Sequence, residues 1–129
     1  MTNPQNSARA LIDGKLQPCP PSPNCVCSEY PDTTHSIEPL AFSGDADEAW
    51  TRLISILNGQ PRTTIPAQTA DYIEARFRTR ILRFEDVVEF RLDRAAKLIQ
   101  VRSASKVGYS DFGLNRRRIE TLRLLFREE

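Results

Sequence analysis

The sequence lacks any apolar run that approaches the roughly 18 residues needed to cross a membrane. Residues 1–17 also lack the apolar core of a secretory signal peptide. Aromatic residues are few, at 8% of the chain, and no stripe of them interleaves with the basic side chains, as nucleic-acid binding would favour. We therefore expect a cytoplasmic protein with no transmembrane segment and no nucleic-acid partner.

Histidine and the common catalytic motifs are also scarce. His35 is the single histidine, so any mechanism that needs an imidazole must use it. The sequence has none of the motifs of nucleotide-binding loops, nucleophile elbows, metalloproteases or protein kinases. We therefore predict no cofactor, no metal and no catalytic residue. An enzyme, for instance a hydrolytic one, is kept as an alternative, and its candidate residues are Asp111, His35 and Cys25.

The charged residues are unevenly distributed along the 129-residue chain, although its net charge is only +1. Residues 1–61 contain three basic and seven acidic side chains, whereas residues 62–129 contain fifteen and ten. Such a split is typical of two halves that attract each other, and it is also found where one half binds anions. Of these two interpretations we favour the first.

Three cysteines lie close together in the proline-rich stretch QPCPPSPNCVCSE, as Cys19, Cys25 and Cys27. We predict free thiols in a packed irregular segment, because disulfides are rare in the cytosol. A disulfide between Cys19 and Cys25 is the second alternative. Zinc held by these cysteines and His35 is the third, since structural zinc sites usually offer closer pairs of cysteines.

Hydrophobic periodicity predicts one α+β domain over residues 1–129, in which residues 1–44 form a mostly irregular segment packed on the rest. A helix is expected to begin after the N-cap residue Asp45 and to end at Asn58–Gly59. A second helix is expected over residues 112–127, capped by Ser110 or Asp111 after a turn at Gly108.

Alternating apolar and charged residues predict a single antiparallel sheet of about four to five strands, with both amphipathic helices on one face. A helix-grip fold has a similar order of elements, but it needs more strands. The predicted strands lie in residues 37–42, 62–66, 71–79, 86–93 and 97–105.

The stretch RSASKVGYSDFGLNRRRIE, residues 102–120, places three consecutive arginines near the start of the predicted second helix. Cations are unfavourable at a helix N-terminus by up to about 1 kcal/mol each, so anionic groups should accompany them. One source is internal, namely the carboxylates of Glu85, Asp86, Asp111 and Glu120, and we rank it first. The other is a bound phosphate or carboxylate. The residues that would hold such an anion are Arg102, Ser103, Ser105, Lys106, Asp111, Asn115, Arg116 and Arg118.

Two motif regions of the chain resemble the uncharacterised bacterial family catalogued as domain of unknown function 1499. The first is QPCPPSPNCVCSE, with motif residues Cys19, Asn24 and Cys25, and the second is the stretch of residues 102–120. The resemblance implies a shared fold and shared motif positions but no reaction, because the family has no established activity. It further implies that polar residues of the two motifs converge in space, namely Asn24, Asp111, Asn115 and Arg116.

Three functions follow from these features. The favoured one is a non-enzymatic binding or accessory domain, whose arginine-rich turn and helix start hold a small anion or an acidic partner. The second is the enzyme described above. The third is a structural module for docking partners, in which every arginine of residues 116–118 is paired with an internal carboxylate.

Overall fold

This computed structural model describes residues 11–31, 34–106 and 113–127. These residues contain eight strands and two helices. Residues 1–10, 32–33, 107–112 and 128–129 lie outside that description, and with them the predicted turn at Gly108 and the caps at Ser110 and Asp111. In chain order the elements are β1 Leu11–Ile12, β2 Lys15–Leu16, β3 Cys25–Cys27, β4 Leu40–Ala41, α1 Ala46–Asn58, β5 Thr63–Gln68, β6 Tyr72–Arg78, β7 Glu85–Asp93, β8 Leu98–Ser105 and α2 Leu114–Arg127.

Six of the strands form one antiparallel sheet in the order β3-β8-β7-β6-β5, in which β4 also pairs with β8. Strands β1 and β2 form a separate two-stranded antiparallel sheet. The α+β class is therefore confirmed, whereas the prediction of one sheet with four to five strands is wrong. The strands that prediction missed, β1, β2 and β3, lie within residues 1–44. They have only two or three residues each, which is too short for a recognisable alternation.

The predicted start of the first helix is confirmed, because the Asp45 carboxylate accepts a hydrogen bond of 2.9 Å from the Glu48 backbone N–H. Such an N-cap satisfies a backbone donor that the helix itself cannot pair. Helix α2 follows Gly113, whose φ of 80° lies in the left-handed region that favours glycine.

Buried side chains of both helices meet alternate residues of the sheet in the main hydrophobic core. This core explains the strand periodicity, because successive residues of a strand point to opposite faces. Its largest fully buried members are Leu40, Leu53, Leu57, Ile73, Val88, Phe90, Ile99, Val101, Ile119, Leu122 and Phe126.

A second, smaller core contains Leu16, Cys27, Ala67 and Tyr72. It joins the proline-rich segment to strand residues that alternate with those of the main core, since Tyr72 precedes the buried Ile73 on β6. The segment thus covers part of the sheet that would otherwise face water. Neither helix among the described residues has the length and apolar character that spanning a membrane requires.

Candidate functional site

The fully buried side chain of Asn115 connects the two motif regions. Its Oδ1 atom accepts hydrogen bonds from the Ser103 hydroxyl at 2.5 Å and from Arg118 at 3.4 Å. Its Nδ2 group donates to the Ser105 hydroxyl at 2.9 Å and to the backbone carbonyl of Asn24 at 3.2 Å. The amide therefore joins β8, the start of α2 and the proline-rich segment.

Two further hydrogen bonds hold Asn24, one to its backbone carbonyl and one to its side chain. Its backbone carbonyl also accepts from the Ser105 N–H at 3.0 Å, and its Oδ1 atom accepts from the Ser22 hydroxyl at 2.7 Å. Buried polar groups without partners cost about 1–3 kcal/mol each, and here the partners come from within the chain. We call Asn24, Ser103, Ser105 and Asn115 the asparagine node.

The last arginine of the run, Arg118, forms an ion pair of 2.7 Å with Asp86 of β7. Both side chains are largely buried, with exposures of 12% and 2%. The guanidinium also lies 4.8 Å from the centre of the Phe77 ring, within the range of a cation–π interaction. An internal carboxylate of the predicted set, Asp86, thus accompanies this arginine.

The first arginine of the run, Arg116, is held in a different way. Its guanidinium donates to the backbone carbonyls of Ser36 at 2.8 Å and Thr34 at 3.3 Å. About two turns further along α2, Arg123 donates to the carbonyls of Glu38 and Pro39, each at 2.7 Å. These arginines therefore fasten residues 34–39 to α2 through carbonyl oxygens.

Lys106 and Arg102, also predicted to hold an anion, have acidic partners within the chain. The Lys106 ammonium lies 3.0 Å from Glu85 and, by hydrogen bonding, holds the pKa of that carboxyl below its usual value. Arg102 lies 3.3 Å from the buried Glu89. Burial raises the pKa of Glu89, and the Tyr72 hydroxyl donates to it at 2.5 Å.

The favoured prediction of free thiols is wrong for Cys19 and Cys25, because these two residues form a disulfide, which was the second alternative. Their Cα atoms lie 5.7 Å apart, an ordinary separation for a disulfide. Cys27 is a buried free thiol, and burial raises its pKa. The spacing allowed this pairing but could not decide between a disulfide and free thiols, since the outcome depends on how the prolines fold the intervening residues.

The disulfide also affects two of the alternative functions. Cys25 has no thiolate to offer as a nucleophile while it is oxidised, and the four-ligand zinc set with His35 loses two of its sulfur ligands. The His35 ring is buried, and its Nε2 atom lies 2.9 Å from the Ser22 carbonyl. The third candidate catalytic residue, Asp111, lies outside the described residues.

A groove of about 500 Å³ lies between the start of α2, the turn before β5 and the end of β6. Its floor includes Phe77, Leu114 and Leu122, and none of the described residues that line it is acidic. We call it the arginine groove after its basic residues, which are Arg62, Arg78, Arg80, Arg117 and Arg118. A smaller hollow beside it shares Arg62 and Arg78 and adds Arg76, Arg83 and Glu85.

Of the groove arginines, only Arg118 belongs to the predicted ligand-binding set. The signal for Arg78 was present in the sequence, because Arg76 and Arg78 alternate along a strand and thus share a face. Arg62 and Arg117 had no such signal, because they are 55 positions apart in the sequence and meet only in the fold.

The family described as "Protein of unknown function (DUF1499)" matches residues 15–126. The match covers most of the chain, so the chain belongs to this family, as the two motif regions had predicted. No curated protein and no solved structure matches the chain.

Proposed function

We propose that this member of the DUF1499 family is a non-enzymatic binding domain and that its arginine groove holds an anionic ligand. The observation that carries the proposal is the composition of the groove wall, which has five arginines and no acid among its described residues. A guanidinium donates in a planar fork that suits carboxylate and phosphate oxygens. The ligand class is therefore a small anion or the acidic group of a partner.

The charge of the groove comes chiefly from residues other than Arg118. Arg118 is neutralised by Asp86 at 2.7 Å. Arg78 lies 3.8 Å from Glu85 while about half exposed, and exposed pairs at such a distance contribute little. Arg80 has no carboxylate within 4.0 Å among the described residues. An arriving anion would therefore meet the positive charge of Arg80, which the carboxylates of the described residues do not neutralise.

The apolar floor adds a second requirement on the ligand. Phe77, Leu114 and Leu122 remove water from one side of the groove, and hydrogen bonds to charged groups strengthen where water is excluded. A volume of about 500 Å³ suits a small molecule. We expect an anion that carries an apolar or planar part to bind more tightly than inorganic phosphate does.

This location differs in part from the predicted one. Arg102, Ser103, Ser105, Lys106, Asn115 and Arg116 bond to other groups of the protein, as described above. An anion at those residues would have to displace internal partners. The groove lies on the other side of Arg118, where the same helix start faces an apolar floor.

A thermal-shift panel followed by titration calorimetry tests the proposal. The panel contains phosphate, pyrophosphate, citrate and benzoate at low ionic strength, because salt screens exposed charges. A ligand present at 100 times its Kd stabilises a protein by about 2.7 kcal/mol, which a melting curve detects. We expect a shift with the wild type and its loss in the variant Arg62→Gln/Arg117→Gln.

The matched control is Arg127→Gln, which removes an exposed arginine of the same helix outside the groove. This control should keep the shift. If no anion of the panel raises the melting temperature, or if the double variant responds as the wild type does, the groove is not an anion site.

The disulfide leads us to a different compartment from the one expected at first. Disulfides persist in oxidising compartments and are rare in the reducing cytosol, so we propose that the domain works outside the cytosol. Thiol alkylation of protein from its native cells, followed by mass spectrometry, tests this. Labelling of Cys27 alone under denaturing, non-reducing conditions is expected, and labelling of Cys19 and Cys25 as well would refute it.

A further inference from the structure

The turn between β6 and β7 exposes large apolar side chains to solvent. Ile81, Leu82 and Phe84 have exposures of 85%, 67% and 42%. They make up three of the five large apolar side chains that are exposed among the described residues. Scattered exposed apolar residues are ordinary, whereas a cluster of them indicates an interaction site. We call these three residues the apolar tip.

The turn that carries the apolar tip is held by hydrogen bonds at its base. The Thr79 N–H donates to the Phe84 carbonyl at 2.8 Å, and the Phe84 N–H donates to the Thr79 hydroxyl at 2.8 Å. Strands β6 and β7 are paired up to Arg78 and Glu85 immediately below it. The exposed side chains are therefore presented by a defined hairpin end.

Arginines surround the tip. Arg80 and Arg83 are exposed and alternate with the apolar residues, and neither has a carboxylate within 4.0 Å among the described residues. Arg78 is the last residue of β6, immediately before the turn. Arg62 lies beside Arg78, since the Arg62 Nε–H donates to the Arg78 carbonyl at 3.1 Å. Apolar side chains surrounded by arginines are complementary to a bilayer surface that carries anionic lipids.

A stable contact with another folded protein fits the tip less well. Such interfaces use roughly 20–30 residues a side, whereas the tip offers three apolar side chains on a projecting turn. A bilayer interface accepts a narrow apolar wedge, and each nearby arginine adds attraction to the negative leaflet.

We propose that the β6–β7 turn docks this protein on anionic membrane surfaces, with Ile81 and Leu82 inserted at the interface and Arg78, Arg80 and Arg83 against lipid phosphates. The arginine groove begins at the same turn, because Arg78, Thr79 and Arg80 also line it. Docking would therefore place the groove next to the membrane. The proposal does not require that the groove binds a small anion.

Vesicle co-sedimentation tests the proposal with the full chain. The wild type should sediment with vesicles of phosphatidylcholine that contain phosphatidylglycerol and should stay in solution with phosphatidylcholine alone. Raising the salt concentration should weaken the binding, because it screens the arginines. The variant Ile81→Ser/Leu82→Ser should lose about tenfold or more in affinity, since it removes the apolar insertion.

A matched control is Ile12→Ser, which removes an exposed apolar side chain on the β1–β2 hairpin and should bind as the wild type does. Because all three positions are exposed, melting temperatures should stay near that of the wild type. A second measurement uses Leu82→Trp, whose fluorescence should be quenched by brominated lipids in anionic vesicles.

Two results would overturn the proposal: no sedimentation of the wild type with anionic vesicles, or equal binding of the wild type and Ile81→Ser/Leu82→Ser. The experiments separate it from the groove hypothesis. The apolar variant should keep its thermal shift with small anions if the groove binds them. The variant Arg62→Gln/Arg117→Gln should still bind vesicles more tightly than Ile81→Ser/Leu82→Ser does.

Discussion

The asparagine node and the arginine groove lie on the two sides of Arg118, and they differ in the kind of polar group that they contain. In the node, each polar side chain that contacts Asn115 is bonded within the chain. Five arginines from three parts of the chain line the groove, and no acid is found among the described residues that line it. The neutral amides and hydroxyls of the node bond to one another, whereas the groove gathers guanidinium groups, of which Arg80 has no carboxylate within 4.0 Å among the described residues.

The largest expected effect tests whether Arg118 has a structural role, as the residues of the asparagine node do. The change Arg118→Gln leaves the Asp86 carboxylate buried without its ion-pair partner. Breaking a buried pair in this way costs about 3–5 kcal/mol. Chemical denaturation should show that loss.

Arg127→Gln serves as the control and should stay within about 0.5 kcal/mol of the wild type, because its side chain is exposed. The double variant Asp86→Asn/Arg118→Gln should recover part of the loss, since it removes both charges. Equal stability of Arg118→Gln and the wild type would show that the pair is not structural.

The second prediction concerns the node itself. Asn115→Ala removes the partner of the Ser103 hydroxyl and one donor to the Asn24 carbonyl. We expect a loss of about 3 kcal/mol, because buried polar groups are left without hydrogen bonds. Ser105→Ala removes a smaller part of the network and should cost about 1 kcal/mol. Urea denaturation of both variants measures the difference, and the reverse order of stability would contradict the described network.

A third, smaller effect is expected at Arg83, which lines the hollow beside the arginine groove. Here the substitution should raise the stability of the fold and not lower it. Arg83 has a φ of 62°, in the left-handed region that disfavours residues with a Cβ atom. Arg83→Gly should relieve this strain and stabilise the fold by about 0.5–1 kcal/mol, while it weakens binding to anionic vesicles. Arg83→Gln keeps the strain and should give no gain in melting temperature. A gain in Arg83→Gln equal to that in Arg83→Gly would assign the effect to charge.

The smallest expected effects concern the pH dependence of stability. The contributions of two carboxylates of β7, Glu85 and Glu89, should change in opposite directions as the pH rises. Hydrogen bonding from Lys106 lowers the pKa of Glu85, so its contribution to stability is present at neutral pH and is lost as the pH falls through its folded-state pKa. Burial raises the pKa of Glu89, so its contribution is complete at acid pH and is lost as the pH rises through its folded-state pKa.

Melting temperatures between pH 3 and pH 7 check these signs against the two glutamine variants. Glu85→Gln should lose less stability on acidification than the wild type does. Glu89→Gln should gain on the wild type as the pH rises. If both variants change in the same direction relative to the wild type, at least one of the assigned causes is wrong.

The central strands and the first helix were predictable because their signals are local. Ile73, Ala75 and Phe77 alternate along one strand, and Asp45 lies three residues before Glu48. Such patterns depend only on the period of an element and on its cap. Strand β3 has three residues between prolines and turn formers, so its pairing with β8 depends on a partner that no local pattern reveals.

The same limit applies to the candidate site. The charge of the arginines predicts that each needs an anionic or polar partner. Arg116 finds its partners in two backbone carbonyls. Every residue carries a carbonyl, so the sequence cannot show which ones an arginine will contact. Arg62 and Arg117 line one groove only because the edge of the sheet meets the start of α2. The disulfide between Cys19 and Cys25 was ranked second to free thiols, because the expected cytoplasmic compartment weighed against it.

The hydrogen bond from Asn115 to the Asn24 carbonyl joins residues 91 positions apart. During synthesis, the proline-rich segment leaves the ribosome long before helix α2 exists, so its contact with Asn115 cannot form until nearly the whole chain has been made. Contacts of such long range are expected to form late in folding. The disulfide, which spans six positions, can close much earlier. A chain truncated before Asn115 should therefore still be able to close the loop between Cys19 and Cys25, but it lacks the side chain that ties Asn24 to helix α2.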